Sequence, residues 1–359
     1  MKKVTQTESN LFCLVRIALD TQSPKPVSGT DWAEAVEIAT KQEIVGVVLD
    51  GINRCFEANV PVDMDFKTKM EWIGLVRQME AGYKHHQNTI YKLAQFYAKH
   101  DIKMMVLKGI GLSLNYPVPS HRPAGDMDIY LFGKQKCADR LISEELKIKV
   151  DSGHHHHTVF FFQGESIENH YDFLNVHVRK SNKRIEKKLK DLCVFVSEKR
   201  PEGYYLPSTE FNAIFVLRHC ASHFASTSMS VRQILDWGLF MQRHHKEINW
   251  DEYIPYLKNE GMYRFYNLIG LFCVTHFGFD ASIFHGINSD AIFDRFTKEV
   301  LSPEFKDKEN GSLLRSLSVK PRRWWHNRWK NRLCYPDSAW SEFAYGLWAK
   351  VLKPSHFIQ

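Results

Sequence analysis

The chain has 359 residues, 44% hydrophobic and 25% charged, enough to bury two or three packed units in an ordinary soluble globular protein. Its seven cysteines (Cys13, Cys55, Cys137, Cys193, Cys220, Cys273, Cys334) are scattered, odd in number and without a CxxC pair, which argues against a disulfide framework or a zinc module and suits a reducing cytoplasm. No apolar run reaches the roughly 20 residues of a membrane span, and the patch at residues 11–15, interrupted by Arg16 and Asp20, is too short for a signal peptide.

Residues 1–100 read as helical. Asp31 with Glu34 three residues later resembles a capping box, Trp32, Val36, Ala39 and residues 44–49 supply an apolar face, and Gly51 is the expected stop. A longer helix is expected over 65–100, where Ile73, Val76, Met79, Ile90, Leu93, Phe96 and Tyr97 recur near helical spacing, with Asp101 as its breaker. The pattern then changes to strands. Residues 102–107 and 129–132 are short and apolar, and between them 110–116 form one or two helical turns before Pro117 and Pro119. Residues 135–146 read as a helix, and the runs 154–163 and 166–173 flank Gly164-Glu165, a hairpin signal. After about Asn182 the chain turns helical again, with helices expected over 211–224, 232–244, 250–260 and 263–277, the last capped by Gly278, and a polar loop at 306–311. The fold class is α+β: a small mixed sheet flanked by helices. Its expected parts are an N-terminal helical region (1–100), a sheet core (101–181), a C-terminal helical domain (182–314) and a basic, Trp-rich tail (315–359).

Charge is concentrated in that tail. Residues 315–353 carry nine Lys and Arg against two acids, an excess equal to the +7 of the whole chain, together with five of the nine tryptophans (Trp324, Trp325, Trp329, Trp340, Trp348). Basic residues mixed with Trp suit an anionic lipid surface, a polyanion or a protein contact, so the chain is expected in the cytoplasm or peripherally at the inner membrane face. The same composition fits a helix that packs its aromatics on the body and leaves its charges in water. Nucleic acid is not an expected partner, because the positive charge lies in one tail and no stacking platform is evident.

The chemistry centres on Gly125-Asp126-Met127-Asp128-Ile129-Tyr130-Leu131. On a strand Asp126 and Asp128 project the same way while Met127 and Ile129 turn into the core, so two like charges are forced together unless a cation neutralises them. Mg²⁺ suits such a pair, since it takes one or two carboxylates plus phosphate oxygens. Upstream, Lys108-Gly109 follows a buried strand and gives the backbone a close approach to phosphate, with Arg122 as a bidentate partner. Glu168, on the last strand and sharing a face with His170, would complete the metal site or act as the base, with His170 orienting it. In the helical half, Arg218, His219, His223, Arg232 and Asp236 interrupt apolar helices. They read either as nucleotide or acceptor contacts or as an Arg232–Asp236 ion pair and satisfied core histidines. His154 to His157 invite a metal reading too, but on a strand His154 pairs with His156 and His155 with His157, so at most two join one site without a further ligand. The alternative there is a partly exposed edge strand.

Val106-Leu107-Lys108-Gly109, Tyr116-Pro117, Arg122, Asp126-Met127-Asp128-Ile129 and Glu168-Asn169-His170 resemble the signature of a bacterial nucleotidyltransferase-like family of the polymerase-beta superfamily. Leu217-Arg218-His219 with His223, the run from Val231 to Trp237 and Ile248-Asn249-Trp250-Asp251 resemble that family's C-terminal helices. The resemblance implies a nucleotidyltransferase fold and transfer of a nucleoside monophosphate from a nucleoside triphosphate such as ATP to a small-molecule hydroxyl such as that of a sugar or polyol. Two Mg²⁺ ions would be held by Asp126, Asp128 and Glu168, and Lys108, Gly109 and Arg122 would bind nucleotide. The wider superfamily places Gly-Ser in the phosphate turn, whereas Ile110 follows Gly109 here. A noncatalytic member that binds nucleotide or a partner, tethered through the tail, is the other reading.

Overall fold

The computed structural model describes residues 4–154, 156–193, 198–226, 228–303 and 325–338. Three of the first four helices start on a side-chain cap. Thr5 and Glu8 close a capping box on α1 (Gln6–Ala18), Asp31 accepts from the Glu34 amide at α2 (Trp32–Lys41), and Asp65 accepts from Thr68 at α4 (Phe66–Lys99). α3 (Val45–Glu57) has no such side-chain bond and runs straight through Gly51. That glycine is a crossing point and not the expected stop, because a Cβ there would lie 2.1 Å from the Leu14 carbonyl oxygen of α1.

The sheet follows in β1 (Met105–Leu107), β2 (Met127–Tyr130), β3 (His157–Phe162), β4 (Glu165–His170), β5 (Glu198–Lys199) and β6 (Tyr205–Leu206), in the spatial order β3-β4-β2-β1-β6-β5. β1 and β2 are antiparallel, β2 and β4 parallel, and β3 and β4 form the hairpin. The hairpin turn is Gln163-Gly164, both at positive φ as a tight two-residue connection requires, so it sits one residue before the expected Gly164-Glu165. β5 and β6 were not expected; at two residues each they are too short to show alternation, and β6 joins through a single parallel register with β1.

α5 (Gly109–Ser113) follows β1, a 3₁₀ turn at Pro119–His121 precedes β2, and α6 (Gln135–Glu144) follows it. The helical half comprises α7 (Lys180–Leu192), α8 (Thr209–Ser226), α9 (Val231–His244), α10 (Trp250–Asn259), α11 (Tyr263–Phe277) and α12 (Phe293–Leu301), with a further helix over 325–334. Gly278 closes α11 in the left-handed conformation, as its position in the sequence implies. Residues 306–311, 315–324 and 339–353 lie outside the described residues. Of the Trp-rich stretch, Trp329 packs edge-on against Phe224 while Trp325 is exposed, and the buried Lys330 pairs with Glu299.

Each sheet face has its own partner. Val106, Met127, Ile129, Leu131 and Ile167 join Ile90, Leu93 and Tyr97 of α4 and Ala138 and Ile142 of α6. Met105 and Leu107 point the other way, into a second cluster that runs from α1–α3 through α8, α9 and α11 to Leu333 and Tyr335. The alternation that buries Met127 and Ile129 therefore delivers Asp128, paired in register with Leu107, to the face covered by α8 and α9. Among the described residues no helix is long and apolar enough to cross a membrane.

Replacing Gly51 by Ala should cost roughly 1–3 kcal/mol by overpacking the α1–α3 crossing. Gly74→Ala, on the exposed face of α4 with nothing within 4 Å of the added carbon, should instead gain about 0.5–1 kcal/mol. Urea denaturation of the two variants checks both signs.

Candidate active site

β2 and β4 run parallel in a register that sets Asp128 beside Glu168 and Tyr130 beside His170. Asp128 is buried. Its Oδ1 accepts from the Lys108 ammonium at 2.8 Å and faces His170 Nε2 at 2.9 Å, and the same His170 nitrogen lies 3.4 Å from Glu168 Oε2. Burial alone would raise the Asp128 pKa, but Lys108 and His170 outweigh it and hold the carboxyl well below its usual range. For His170 burial works in the opposite sense and is again overcome, by Asp128 and Glu168, which lift the imidazole to about 9. Asp126 stands at the exposed lip of the strand, with its pKa raised by partial burial and by the neighbouring Glu168 and Asp128 charges. The three acids and Lys108 line one cavity of about 310 Å³.

The turn that brings Lys108 over Asp128 is strained. Lys108 adopts φ +47°, ψ −136°, a left-handed φ unusual for a residue with a side chain, and Gly109 follows at φ +41° with open space where a Cβ would stand. The nearest serine in the turn, Ser113, is buried and bonds to Ile110 O and Tyr83 Oη, so it offers no hydroxyl to the cavity.

The cavity wall comes from helical spacing: Val216, His219, Cys220 and His223 on one side of α8, and Arg232, Gln233 and Asp236 on α9. Buried Asp236 ties it together. It takes Arg122 in a two-pronged bond at 2.8 and 2.9 Å, Arg232 at 2.8 Å and the Tyr116 hydroxyl at 2.7 Å. Arg232 also reaches Glu43 at 3.0 Å, and Glu43 accepts from Ser230. Arg122 and Arg232 thus border the cavity with their guanidinium groups engaged by carboxylates. Burial opposes ionisation of Asp236, but the two arginines prevail and lower its pKa. His219 stays neutral, pushed well down by burial and by Lys108 and His223 nearby. The loop carrying Arg122 is pinned by His121, whose two ring nitrogens meet Asp50 of α3 at 2.8 Å and Glu80 of α4 at 3.1 Å.

Eleven of the twelve residues singled out in the sequence come together here; Arg218 does not. It sits one residue along α8 from His219 and points to the opposite side, where it donates to Cys334 O, Ser181 Oγ and Asn182 Oδ1 and stacks with Arg179 on the Tyr335 ring. It anchors the 325–338 segment and lies outside the cavity. Conversely, Glu43 and Gln233 line the cavity without having been singled out. Glu43 sits in the α2–α3 turn, far from any motif, and only the tertiary approach of α9 shows its use.

The histidine run also differs from expectation. β3 begins at His157, so strand alternation does not govern His154 and His156. His154 stacks on His157 at 4.6 Å between centroids, and His156 and His157 both turn toward His170.

A mixed sheet with acids on two adjacent parallel strands, flanked by helices on both faces, is a fold of nucleotidyltransferase type. The chain belongs to a nucleotidyltransferase family described as uncharacterised, whose model matches residues 28–278. No curated protein and no solved structure matches it. The matched span takes in every residue that lines the cavity and leaves out α1, α12 and the 325–338 segment.

Asp236→Asn should destabilise the protein by roughly 3–5 kcal/mol, since it leaves two guanidinium charges buried beside each other, and chemical denaturation measures the loss. His170 gives a pH signature. Its folded pKa of about 9 exceeds the unfolded 6.5, so its contribution is complete below pH 6.5 and disappears as pH rises through 9. In chelator, the stability difference between wild type and His170→Gln should therefore shrink across that window, by at most roughly 3 kcal/mol at 1.36 kcal/mol per unit.

Proposed function

We propose that the chain transfers a nucleoside monophosphate from a nucleoside triphosphate to a hydroxyl of a small-molecule acceptor of sugar or polyol type, with Mg²⁺ as cofactor. One observation carries the reading: Asp128 and Glu168, paired in register on adjacent strands, and Asp126, one residue ahead of β2, line one cavity together with the Lys108-Gly109 turn. The donor set fits a hard divalent cation. Three carboxylates line one cavity, Asp126 is pushed up by partial burial and by the charges of the other two, and the Lys108 ammonium already rests on Asp128 as a stand-in positive charge. When bound, Mg²⁺ would supply charge stabilisation to the attacking and leaving oxygens.

The protein's own groups do the positioning. Among the described residues the Lys108 ammonium has one polar contact, to Asp128, and it would exchange that carboxylate for a phosphate oxygen when substrate enters. The open backbone at Gly109 lets phosphate approach closely. His170 holds Asp128 and Glu168 in fixed orientation through one ring nitrogen, and Glu168 would take the proton released by the acceptor hydroxyl. The acceptor oxygen attacks the α-phosphorus and pyrophosphate leaves. Such a transfer asks for alignment and neutralisation, with little covalent help.

A second reading has its own observation. Lys108 Nζ neutralises Asp128 directly at 2.8 Å, an arrangement that also suits a pocket binding nucleotide without turning it over. A thermal-shift series of nucleoside triphosphates with and without Mg²⁺ tests for the donor, and transfer of label to a panel of polyols and sugars tests for the reaction. Asp128→Asn and Asp126→Asn should each reduce transfer at least a hundredfold while the protein stays folded. Full activity in the Asp126→Asn protein would overturn the mechanism, and nucleotide stabilisation without turnover would favour the binding-only reading.

A further inference from the structure

The histidines at the entry to β3 have no part in the reaction proposed above. One ligand atom from each of His156, His157 and His170 lies within 4.8 Å of the others. The ring centroids are 4.5 Å apart for His156 and His157, 5.6 Å for His156 and His170, and 5.2 Å for His157 and His170. Two of these rings carry an orphaned nitrogen: Nδ1 of His156 and Nδ1 of His157 are both buried without a hydrogen-bond partner, and His157 as a whole is only 8% exposed. A buried polar atom left unpaired is costly, and two such atoms beside a third imidazole call for a shared partner.

We propose that His156, His157 and His170 form a binding site for a borderline divalent transition metal, with Zn²⁺ the best fit. Imidazole nitrogen prefers such ions, whereas Mg²⁺ takes oxygen ligands, so this site is chemically separate from the carboxylates although it adjoins them. Glu168 Oε1 lies 3.8 Å from His157 Nε2, on the other side of that ring from the orphaned Nδ1, so the protein supplies three imidazoles and a solvent molecule would take the fourth tetrahedral position. The three rings come from two pieces of chain. His156 precedes β3 and His157 opens it, while His170 ends β4 directly opposite His157 in the hairpin register. An ion held there would cross-link the open end of the hairpin and fix the ring that also touches Asp128 and Glu168. The inference stands whether or not the chain transfers nucleotides.

The test uses full-length protein purified without a polyhistidine tag or metal column, stripped with chelator and titrated with Co²⁺, whose visible bands report nitrogen-rich coordination of low symmetry. Wild type should saturate at one Co²⁺ per chain and release it to Zn²⁺. His156→Gln and His157→Gln should each weaken Co²⁺ binding at least tenfold, with an unchanged far-ultraviolet circular dichroism spectrum. X-ray absorption at the zinc edge of the wild-type protein should count three imidazoles, a readout that does not depend on how the variants fold. Absence of a one-equivalent endpoint, an edge spectrum without three imidazoles, or binding that survives both substitutions would overturn the site. None of these readouts involves nucleotide, so failure here and failure of the transferase reading are distinguishable.

Discussion

The Asp236 carboxylate is the tie on which the cavity depends. Three stretches of chain distant in sequence are tied together through it: α9, which carries both Asp236 and Arg232, the loop before β2 through Tyr116 and Arg122, and, one step further through Arg232, the α2–α3 turn at Glu43. Buried ion pairs are poor sources of net stability because desolvation offsets most of the attraction. What this network supplies is placement. It fixes the distance between the loop that leads into Asp126 and the helix that roofs it, and it does so with groups that lose heavily if any one is left alone.

The second constraint is like-charge crowding. Asp128 and Glu168 share one face because the parallel β2–β4 register pairs them, Asp126 stands just ahead of β2 beside them, and the chain meets the repulsion with Lys108 and His170. The two compensators differ in origin. His170 comes from the regular geometry of β4, while Lys108 needs a left-handed backbone at the end of β1 to bring its ammonium back over the sheet. Local strain of about 1–3 kcal/mol is thus concentrated at the residue closest to the central carboxylate.

The sequence disclosed most where one physical signal dominated. Helical periodicity located α4 and α11 to within a residue, and the Asp31 cap is where capping chemistry puts it. The i, i+2 acids and the later Glu168 were legible because strand alternation is a strict rule. Features set by tertiary approach were not legible. Gly51 looks like a stop yet serves a helix crossing, β5 and β6 are too short to alternate, and Glu43 becomes a cavity residue only because α9 folds against it. Arg218 shows the limit of a run of residues read as one patch. On a helix, neighbours one position apart diverge by about 100°, so Arg218 and His219 serve opposite surfaces.

The long helix α4 has a mechanical consequence. Its 34 residues span about 51 Å, with Trp72 and Val76 embedded in the larger apolar cluster and Ile90, Leu93 and Tyr97 in the smaller one behind the sheet. It acts as a beam shared by floor and roof. Neither cluster can loosen without dragging a rigid rod out of the other, so the spacing between the acidic strands and the helices above them is held as one stiff frame, leaving adaptation to substrate to the side chains that line the gap.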